Sequence, residues 1–374
     1  MVFPRITTLH NPTQPYTILH SAQRYYTTAI QPYTARSATK DMKRIIGWII
    51  GLCLLAGGAT VCAIRWEAWF GNPPEPEWTG EKITHQFMTM NNDSVLRTLQ
   101  RDTLSFLLLG DIHNSLTNDQ MAALSQRHSD IQFWAQMGDW MERPYMYYEQ
   151  MMYQSLLGTR FDTLPIVAIP GNHEYLKGVV KTLPEHWKTL FPNPQNGPAR
   201  FLGTSYYVDF PCMRLIAVNT DGLQRMSDYT QVAFWVKKCL LDACDRFTIV
   251  MMHHPIYSTA EGRSNPLMWL AFHSAMREAD VVFSGHDHNY ARRTEHYKAR
   301  FWKKEQPTLF IGTNASNKKY PVKENRKYEA SFSGAPVYEY ISVTPDTLYI
   351  YTRNLITGEL IDEVKLASLV INYE

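Results

Sequence analysis

Aspartate, histidine and asparagine side chains follow five apolar runs of the sequence, each at the point where the run ends. The runs are LSFLLL, IQFWAQM, IVAI, TIVMM and VVFS, and each is short enough to form a buried β-strand. Carboxylates, imidazoles and carboxamides supply the nitrogen and oxygen atoms that bind divalent and trivalent metal ions. The candidate metal ligands are Asp111, His113, Asp139, Asn172, His253, His286 and His288, and the candidate catalytic residue is His173.

Each of these motifs has an ordinary explanation when it is taken alone. A Gly-Asp pair after a strand is usually a turn, because both residues favour turn conformations. A loop histidine is usually solvated, and the sequence HHP at 253–255 also suits a polar strand end before a proline. The joint occurrence of all five motifs at strand ends favours one shared site. In open α/β folds, the loops beyond the carboxyl ends of strands converge on ligands, and we expect the site there.

The order of the motifs carries a family resemblance. The chain contains GDIH, GD, GNHE, HHP and GHDH in that order, and over roughly residues 100–350 it resembles the calcineurin-like metallophosphoesterases. The segments HHPIYS and GHDHNYAR are most similar to the branch that contains purple acid phosphatases and their bacterial relatives. The segment TQVAFWVKKCL is similar to a Gln-x-x-x-Trp-x-x-x-x-Leu helix of that branch. The resemblance implies an α/β four-layer sandwich, in which two β-sheets are flanked by helices and the metals lie at one edge.

The resemblance also implies how the site residues share two metal ions. One ion would be bound by Asp111, His113, Asp139 and His288. The other would be bound by Asp139 as the bridging carboxylate together with Asn172, His253 and His286. His173 is not a ligand in the family and would donate a proton or a hydrogen bond to the phosphate or the leaving group.

The chemistry of two adjacent cations supports the same division of roles. Cations roughly 3.5–4 Å apart need an anionic bridge, and Asp139 offers a carboxylate for it. The pair of ions lowers the pKa of a bridging water, which supplies hydroxide for in-line attack on phosphorus. The leaving alkoxide needs a proton, and the imidazole of His173 has a suitable intrinsic pKa. Mixed nitrogen and oxygen ligands without a thiolate predict manganese, iron or zinc as the metal.

One position departs from the purple acid phosphatase pattern. Those enzymes carry a metal-binding tyrosine three residues after the aspartate of the GD motif, and this chain has Glu142 there. The tyrosinate–iron(III) chromophore is therefore not expected, which favours a di-manganese, iron–manganese or zinc site. Glu142 is either a metal ligand or a surface carboxylate, and we favour the surface carboxylate. His254 is an outer-sphere group of the site or a bystander, with neither alternative preferred.

Residues 45–64 form a stretch without charged side chains, IIGWIIGLCLLAGGATVCAI, which is long enough to cross a bilayer as a helix. Lys40, Lys43 and Arg44 precede it, so the positive-inside rule keeps the N-terminus cytoplasmic and places the following chain outside the cytoplasm. A cleaved signal peptide and a buried core helix are the alternatives. We favour an uncleaved single-pass signal-anchor, with the catalytic domain on the extracytoplasmic side, which is periplasmic in a Gram-negative bacterium.

The rest of the chain divides around this stretch. We expect residues 1–44 to be disordered, and we interpret Met42 as the true start. Residues 65–100 are expected to be a linker and entry segment, with the globular domain beginning near residue 81 or 100. Residues 101–374 are expected to be the metallophosphoesterase domain. Strands are predicted at 104–109, 131–137, 166–169, 205–209, 215–218, 248–252, 281–283 and 308–311, with a terminal hairpin around Asn354 to Gly358. Helices are predicted at 119–127, 145–158, 229–243 and 266–278.

Composition excludes some functions and leaves others open. The net charge of +2 argues against a nucleic-acid-binding protein, although residues 292–327 carry eleven basic and three acidic side chains. We interpret that segment as a solvated loop rather than as a polyanion-binding surface. Cys212, Cys239 and Cys244 are either reduced buried thiols or include one disulfide, and no CxxC pair predicts a zinc ribbon.

The predicted function is the hydrolysis of phosphomonoesters or phosphodiesters by a metal-bridging hydroxide, with His173 assisting the leaving group. Within enzymes, the alternative is a phosphodiesterase specific for a nucleotide or a lipid headgroup, since an anchored enzyme has membrane-proximal substrates. Outside enzymes, the alternative is a metal-free binding scaffold on the same fold. Every expected ligand type is present, which favours the enzyme.

Overall fold

The computed structural model describes residues 72, 74–178, 180–243, 245–297, 307–325 and 327–368. One sheet is built around the first apolar run, which is buried along its whole length because it lies at the centre of that sheet. Three of its strands are parallel, and the other three are added on one side as an antiparallel meander. Its strands are β1 (Leu104–Leu109), β2 (Phe133–Met137), β3 (Ile166–Ile169), β11 (Val337–Val343), β12 (Thr347–Asn354) and β13 (Leu360–Ala367), in the order β13-β12-β11-β1-β2-β3.

The second sheet has seven strands and is also mixed. Its strands are β4 (Tyr206–Asp209), β5 (Met213–Val218), β6 (Phe247–Met252), β7 (Val281–Ser284), β8 (Tyr290–His296), β9 (Pro307–Gly312) and β10 (Ala330–Phe332). The order is β10-β8-β9-β7-β6-β5-β4, with β5, β6, β7 and β9 parallel to one another. Both sheets therefore present parallel strands whose carboxyl ends can carry loops to a common edge.

The side chains of the strands alternate between two faces, which fixes the layers. Phe106 and Phe133 of the first sheet belong to the same apolar cluster as Leu215 and Ile249 of the second sheet, so this core lies between the sheets. Leu107 points the other way and packs in a second cluster with residues of helices. Two mixed sheets flanked by helices are thus the architecture, in agreement with the expected fold class.

Helices cover the outer faces of both sheets. On the first sheet, Leu124 and Leu156 pack against Trp134, and on the second, Val236 and Phe272 belong to a third cluster that covers the sheet. The helices are α1 (Asp93–Thr98), α2 (Asn118–Arg127), α3 (Met146–Leu156), α4 (Glu185–Leu190), α5 (Met226–Leu241) and α6 (Pro266–Met276). Helix α2 begins at a capping box, in which Thr117 and Gln120 satisfy each other's backbone N–H groups.

The predicted strands and helices are present, with ends that differ by a few residues, and the terminal hairpin is β12 and β13. Helices α1 and α4 and strands β8, β10 and β11 were not predicted. Residues 83–99, which lie in the predicted linker and entry segment, pack into the domain. Phe87 and Met90 are buried, and Ile166 of β3 donates its backbone N–H to the carbonyl of Met88 at 2.9 Å.

The predicted disordered segment 1–44 and the predicted anchor 45–64 lie outside the described residues. Among the helices that the structure does describe, none combines the length and the apolar composition that a membrane span requires. Cys212 and Cys239 are buried free thiols, whereas Cys244 is outside the described residues.

Candidate metal centre

The site is formed by tight turns that follow β1, β2, β3, β6 and β7 at one edge of the two sheets. Polar residues in the turns after β1, β2 and β7 have left-handed backbones, which cost about 1–3 kcal/mol each for residues other than glycine. These positive-φ residues are Asp111 (49°), His113 (51°), Asn114 (52°), Asp139 (52°), His286 (69°) and His288 (49°). These backbone conformations direct the side chains of the ligand-type residues toward one another instead of toward solvent.

Two glycines allow the turns to approach each other. A Cβ on Gly171 would lie 2.3 Å from Oδ1 of Asp139, and a Cβ on Gly285 would lie 2.4 Å from Oδ2 of Asp111. Both distances are far below van der Waals contact. The glycines that begin the GNH and GHDH motifs are therefore required by close packing against the carboxylates.

The first group of ligand atoms comes from Asp111, His113, Asp139 and His288, which are all buried. One atom of each residue lies within 4.8 Å of the others. Nε2 of His113 is 3.6 Å from Oδ2 of Asp139, and Nε2 of His288 is 3.9 Å from Oδ1 of Asp111. These separations suit atoms that surround an ion rather than atoms that bond directly to one another.

The second group comes from Asp139, His253 and His286. Nε2 of His253 is 3.3 Å from Oδ2 of Asp139, 3.3 Å from Nδ1 of His286 and 3.2 Å from Oδ1 of Asn172. Asp139 belongs to both groups, so a single carboxylate lies between two clusters of ligand atoms. The structure thus brings together every residue that was predicted as a ligand.

The pKa shifts of the buried carboxyl and imidazole groups indicate that a positive charge stabilises the site. Burial raises the pKa of Asp111 to about 7. Burial lowers the pKa of His253, but the carboxylates of Asp139 and Asp111 outweigh it and hold that pKa well above its usual value. Burial likewise raises the pKa of Asp139, and His253 and the other nearby imidazoles outweigh it, so that pKa is well below normal. Without a metal ion, the protonated imidazole of His253 is the cation that stabilises the carboxylates. A metal ion carries more charge and would stabilise them more strongly.

The donor set fits metal ions on two further observations. Nε2 of His113 is buried and has no hydrogen-bond partner, which is costly unless something binds it. The other ring nitrogens of three histidines have protein partners: Nδ1 of His113 contacts Glu142 at 2.9 Å, Nδ1 of His253 contacts the Met137 carbonyl at 3.0 Å, and Nδ1 of His288 contacts Ser316 at 3.3 Å. Such contacts orient metal-binding imidazoles and leave Nε2 for the ion.

Glu142 is not a free surface carboxylate. Its side chain is 40% exposed, but Oε2 is 2.9 Å from Nδ1 of His113 and Oε1 is 4.0 Å from Nδ1 of His173. The hydrogen bond with His113 lowers the pKa of Glu142 below its usual value. Glu142 is thus partly exposed, as the favoured interpretation of the sequence has it, and its side chain also orients a predicted ligand. Ligand-type atoms of His113, Glu142 and His173 form a third group that lies within 4.8 Å.

His173 lies at the open side of the site. Its backbone N–H donates to Oδ1 of Asp139 at 2.8 Å, and its Nδ1 contacts the carbonyl of Glu142 at 2.6 Å. The side chain is 23% exposed, and its ring is perpendicular to that of His113 with centroids 4.5 Å apart. Because a carbonyl only accepts hydrogen bonds, Nδ1 carries a proton, and Nε2 is left for other partners.

Glu174 is a site residue that the sequence analysis did not single out. Its side chain is buried and accepts three backbone N–H bonds, from Asp139 and Gly171 at 2.7 Å and from Met141 at 3.0 Å. It thereby joins the turn after β2 to the turn after β3. Burial raises its pKa to about 7. The GNHE motif contained the residue, but two of its three partners, Asp139 and Met141, are more than thirty positions away along the chain.

His254 lies beside the second group of ligand atoms. Its ring centroid is 4.2 Å from that of His286, and its Nδ1 is 3.3 Å from Oδ2 of Asp221 and 3.1 Å from the hydroxyl of Thr220. The Asp221 side chain is fully buried and is also 3.4 Å from Nζ of Lys181. Asp221 is the second site residue that the sequence did not indicate.

The basic segment 292–327 is only partly described, and several of its charges are paired. Arg292 contacts Asp362 at 2.6 Å and also pairs with Glu329, while Lys327 is 3.2 Å from Glu295. These ion pairs neutralise part of the positive charge that the sequence displays.

Comparisons with known proteins agree with this geometry. The family model described as calcineurin-like phosphoesterase matches residues 104–290. No curated protein sequence matches the chain. Among solved structures, a purple acid phosphatase from yellow lupin (Lupinus luteus) seeds is similar with a TM-score of 0.55 and 16% identity over 71% of this chain and 54% of the lupin chain. This chain thus spans about half the length of that enzyme.

Two further solved structures share the fold. PhoD has a TM-score of 0.52 and 10% identity, covering 72% of this chain and 73% of its own. GAP50, the anchor in the inner membrane complex of Plasmodium, has a TM-score of 0.50 and 14% identity, covering 71% of this chain and 89% of its own. Identities this low show the fold alone. The fold, the order of the motifs and the match over residues 104–290 together establish that the chain belongs to the calcineurin-like phosphoesterase family.

Proposed function

We propose that this protein is a hydrolase of phosphate esters that uses two metal ions. The observation that carries the proposal is the position of Asp139, whose buried carboxylate belongs to both groups of ligand atoms. A shared carboxylate offsets the repulsion between two adjacent cations. The fold of a purple acid phosphatase and of PhoD supports phosphoester chemistry as a class.

On this proposal, the candidate ligands would form two sets, and each set would bind one metal ion. Asp139 contributes to both, as the bridge. Asp111, His113 and His288 complete one set, and Asn172, His253 and His286 complete the other. Nitrogen and oxygen donors without a thiolate suit manganese, iron or zinc. Glu142 holds His113 with Nε2 directed into the site, in the manner of other carboxylate–histidine–metal arrangements.

The two ions, when bound, supply an activated water for in-line attack on phosphorus and neutralise charge on the phosphoryl oxygens. In its imidazolium form, in which both ring nitrogens carry protons, His173 would supply a hydrogen bond or a proton from Nε2 to the phosphate or to the leaving alkoxide. The Glu142 carbonyl fixes the ring by accepting from Nδ1. Glu174 keeps the two turns in register, so that Asp139 and Asn172 lie at the same edge.

The alternatives differ in what they predict for metal binding and for substrate. A metal-free scaffold needs no ligand set, whereas this chain retains carboxylate, imidazole and carboxamide donors at every expected position, which favours the hydrolase. A phosphodiesterase specific for a nucleotide or a lipid headgroup needs the same ions and differs in the surrounding pocket.

The test is hydrolysis of aryl phosphate mono- and diesters by the full chain, purified in detergent and supplied with manganese, zinc or iron. Asp139→Asn removes the bridging charge, and Asp119→Asn, at an exposed position of α2, is the matched control. Metal-dependent turnover that Asp139→Asn abolishes and Asp119→Asn retains is the expected result. A folded wild-type protein that binds no metal, measured by elemental analysis, would instead leave the scaffold as the better interpretation.

We also propose that residues 45–64 anchor the chain in a membrane as a single span, with the catalytic domain outside the cytoplasm. The support is the length of the charge-free stretch and the basic residues before it. The expected result is that the native protein stays with membranes at alkaline pH and that protease added from outside degrades the domain. Release into the supernatant, or an N-terminus beyond residue 64, would contradict an uncleaved anchor.

A further inference from the structure

A cavity of about 550 Å³ opens beside the metal centre. Its walls come from the loops after β3 and β5 and from the start of α6, so it lies at the same edge of the sheets as the ligand groups. His254 belongs to its lining, and the ring of His254 is 4.2 Å from the ring of His286. The cavity and the second ligand group therefore share a wall.

The lining combines apolar surface with hydrogen-bonding groups. Leu267 and Tyr229 line it without being fully buried, and Leu267 is 48% exposed. The ammonium group of Lys181 contacts Asp221 at 3.4 Å and has three donors, so donors remain for a ligand. A flat ring packed against leucine and tyrosine side chains buries a large apolar area, and hydroxyl groups can accept hydrogen bonds from the ammonium group of Lys181.

Asp221 fixes the polar wall of the cavity. Its side chain is fully buried, with one oxygen 3.4 Å from Nζ of Lys181 and the other 3.3 Å from Nδ1 of His254. The second oxygen has no partner within hydrogen-bond geometry. A buried carboxylate is costly unless cationic or donor groups stay beside it, so both side chains are held at the wall.

We propose that this cavity binds the alcohol part of the phosphoester and selects an alcohol with a flat ring and hydroxyl groups, of the size of a nucleoside. The inference rests on the proposed function, because the phosphoryl group must lie at the neighbouring ligand groups. The volume is within the range of small-molecule sites. A small alcohol such as glycerol leaves most of the cavity unfilled and covers neither Leu267 nor Tyr229, so it gains less from binding.

The test compares adenosine 5′-phosphate with glycerol 3-phosphate, since both are esters of primary alcohols. The full chain is assayed with added metal as wild type, as Leu267→Trp, which fills the cavity, and as Leu270→Trp. Leu270 is 67% exposed on the same helix and does not line the cavity, so it is the matched control. A hydrophobic pocket contact changes kcat/KM by roughly 10–200-fold.

We expect Leu267→Trp to lower the ratio of kcat/KM for the nucleotide over kcat/KM for glycerol 3-phosphate at least tenfold, whereas Leu270→Trp leaves that ratio unchanged. Lys181→Met is a second variant that lowers the same ratio, with exposed Lys177→Met as its control. A ratio that is the same in all five proteins overturns the subsite. Circular dichroism of each variant excludes misfolding as the cause of a change.

Calorimetric titration with adenosine separates this inference from the proposed function. Adenosine has no phosphate, so its binding does not depend on turnover. Binding that Leu267→Trp abolishes and Leu270→Trp retains supports the subsite even if neither ester is hydrolysed, a result that would refute only the hydrolase. If adenosine does not bind and the ratio does not change, the subsite is wrong.

Discussion

Glu339 is a fully buried carboxyl group between the two sheets, and its replacement by glutamine tests the electrostatics of the core. It lies on β11 opposite Leu108 of β1 and Thr352 of β12. Neither carboxyl oxygen has a hydrogen-bond partner in good geometry. Burial raises the pKa of Glu339 from 4.5 to about 8, and the side chain of Thr313 opposes the shift.

The size and sign of the effect follow from linkage. Between pH 4.5 and about 8, the folded protein holds a proton on Glu339 that the unfolded chain has lost. The free energy of unfolding therefore falls as pH rises through this window and is lowest above it. At about 1.4 kcal/mol per pKa unit, the interval corresponds to roughly 5 kcal/mol. Glutamine stays neutral, so the variant does not lose this stability.

The assay is urea denaturation of wild type and Glu339→Gln at pH 5 and at pH 9, with chelator present throughout. The difference between the two proteins cancels every other titrating group. We expect Glu339→Gln to gain about 4 kcal/mol relative to wild type between the two pH values. Glu363→Gln, at an exposed position of β13, is the control and should show no such gain. A difference that stays constant within about 1 kcal/mol would refute the reasoning.

Three further predictions concern the metal centre. Glu142→Gln weakens the orientation of His113 and should lower metal affinity by about 10–100-fold, measured by competition with a chromophoric chelator. Glu174→Ala leaves three buried backbone N–H groups without a partner and should lower the free energy of unfolding by about 3 kcal/mol in urea denaturation. Gly285→Ala puts a Cβ 2.4 Å from Asp111 Oδ2 and should abolish metal binding, measured by elemental analysis of the purified protein.

Matched variants control for nonspecific effects in these experiments. Glu363→Gln changes an exposed carboxylate and should leave metal affinity as in wild type. Glu185→Ala, at an exposed position of α4, should change stability by less than about 0.5 kcal/mol. Gly312→Ala meets its nearest atom at 3.6 Å, an ordinary contact, and should retain metal. Equal losses in a variant and its control would contradict the role assigned to that residue.

The clustering of the candidate ligands could be predicted from the sequence because its signal is local. Each ligand follows a short apolar run, and parallel strands bring their carboxyl ends to one edge whatever their order in the sheet. The same reasoning predicted the core strands, whose apolar runs are bounded by glycine and polar residues. The sequence did not reveal which strands pair, since the register between β1 and β11 joins residues more than two hundred positions apart.

The missed residues depend on contacts that no local pattern encodes. The sequence around Glu142 is typical of a solvated carboxylate. Its contact with His113 arises only because the turn after β1 places His113 beside it. Strand β8 has the charged sequence YARRTEH, which is typical of a loop, and Arg292 is half-buried there because Asp362 lies opposite. Asp221 has no motif around it, and its role follows from two side chains on other loops.

The proposed ligands come from both sheets, and this has a consequence for the mechanics of the protein. Asp139 follows β2 of the first sheet, whereas His253 follows β6 of the second. An ion held by both is a cross-link between layers that are otherwise joined at this edge by side-chain packing and loops. Ions that bind only the folded chain raise the free energy of unfolding in proportion to the logarithm of their concentration. Amide hydrogen exchange at the ends of β2 and β6 should therefore slow together on metal addition, because separating the sheets would require releasing the ions.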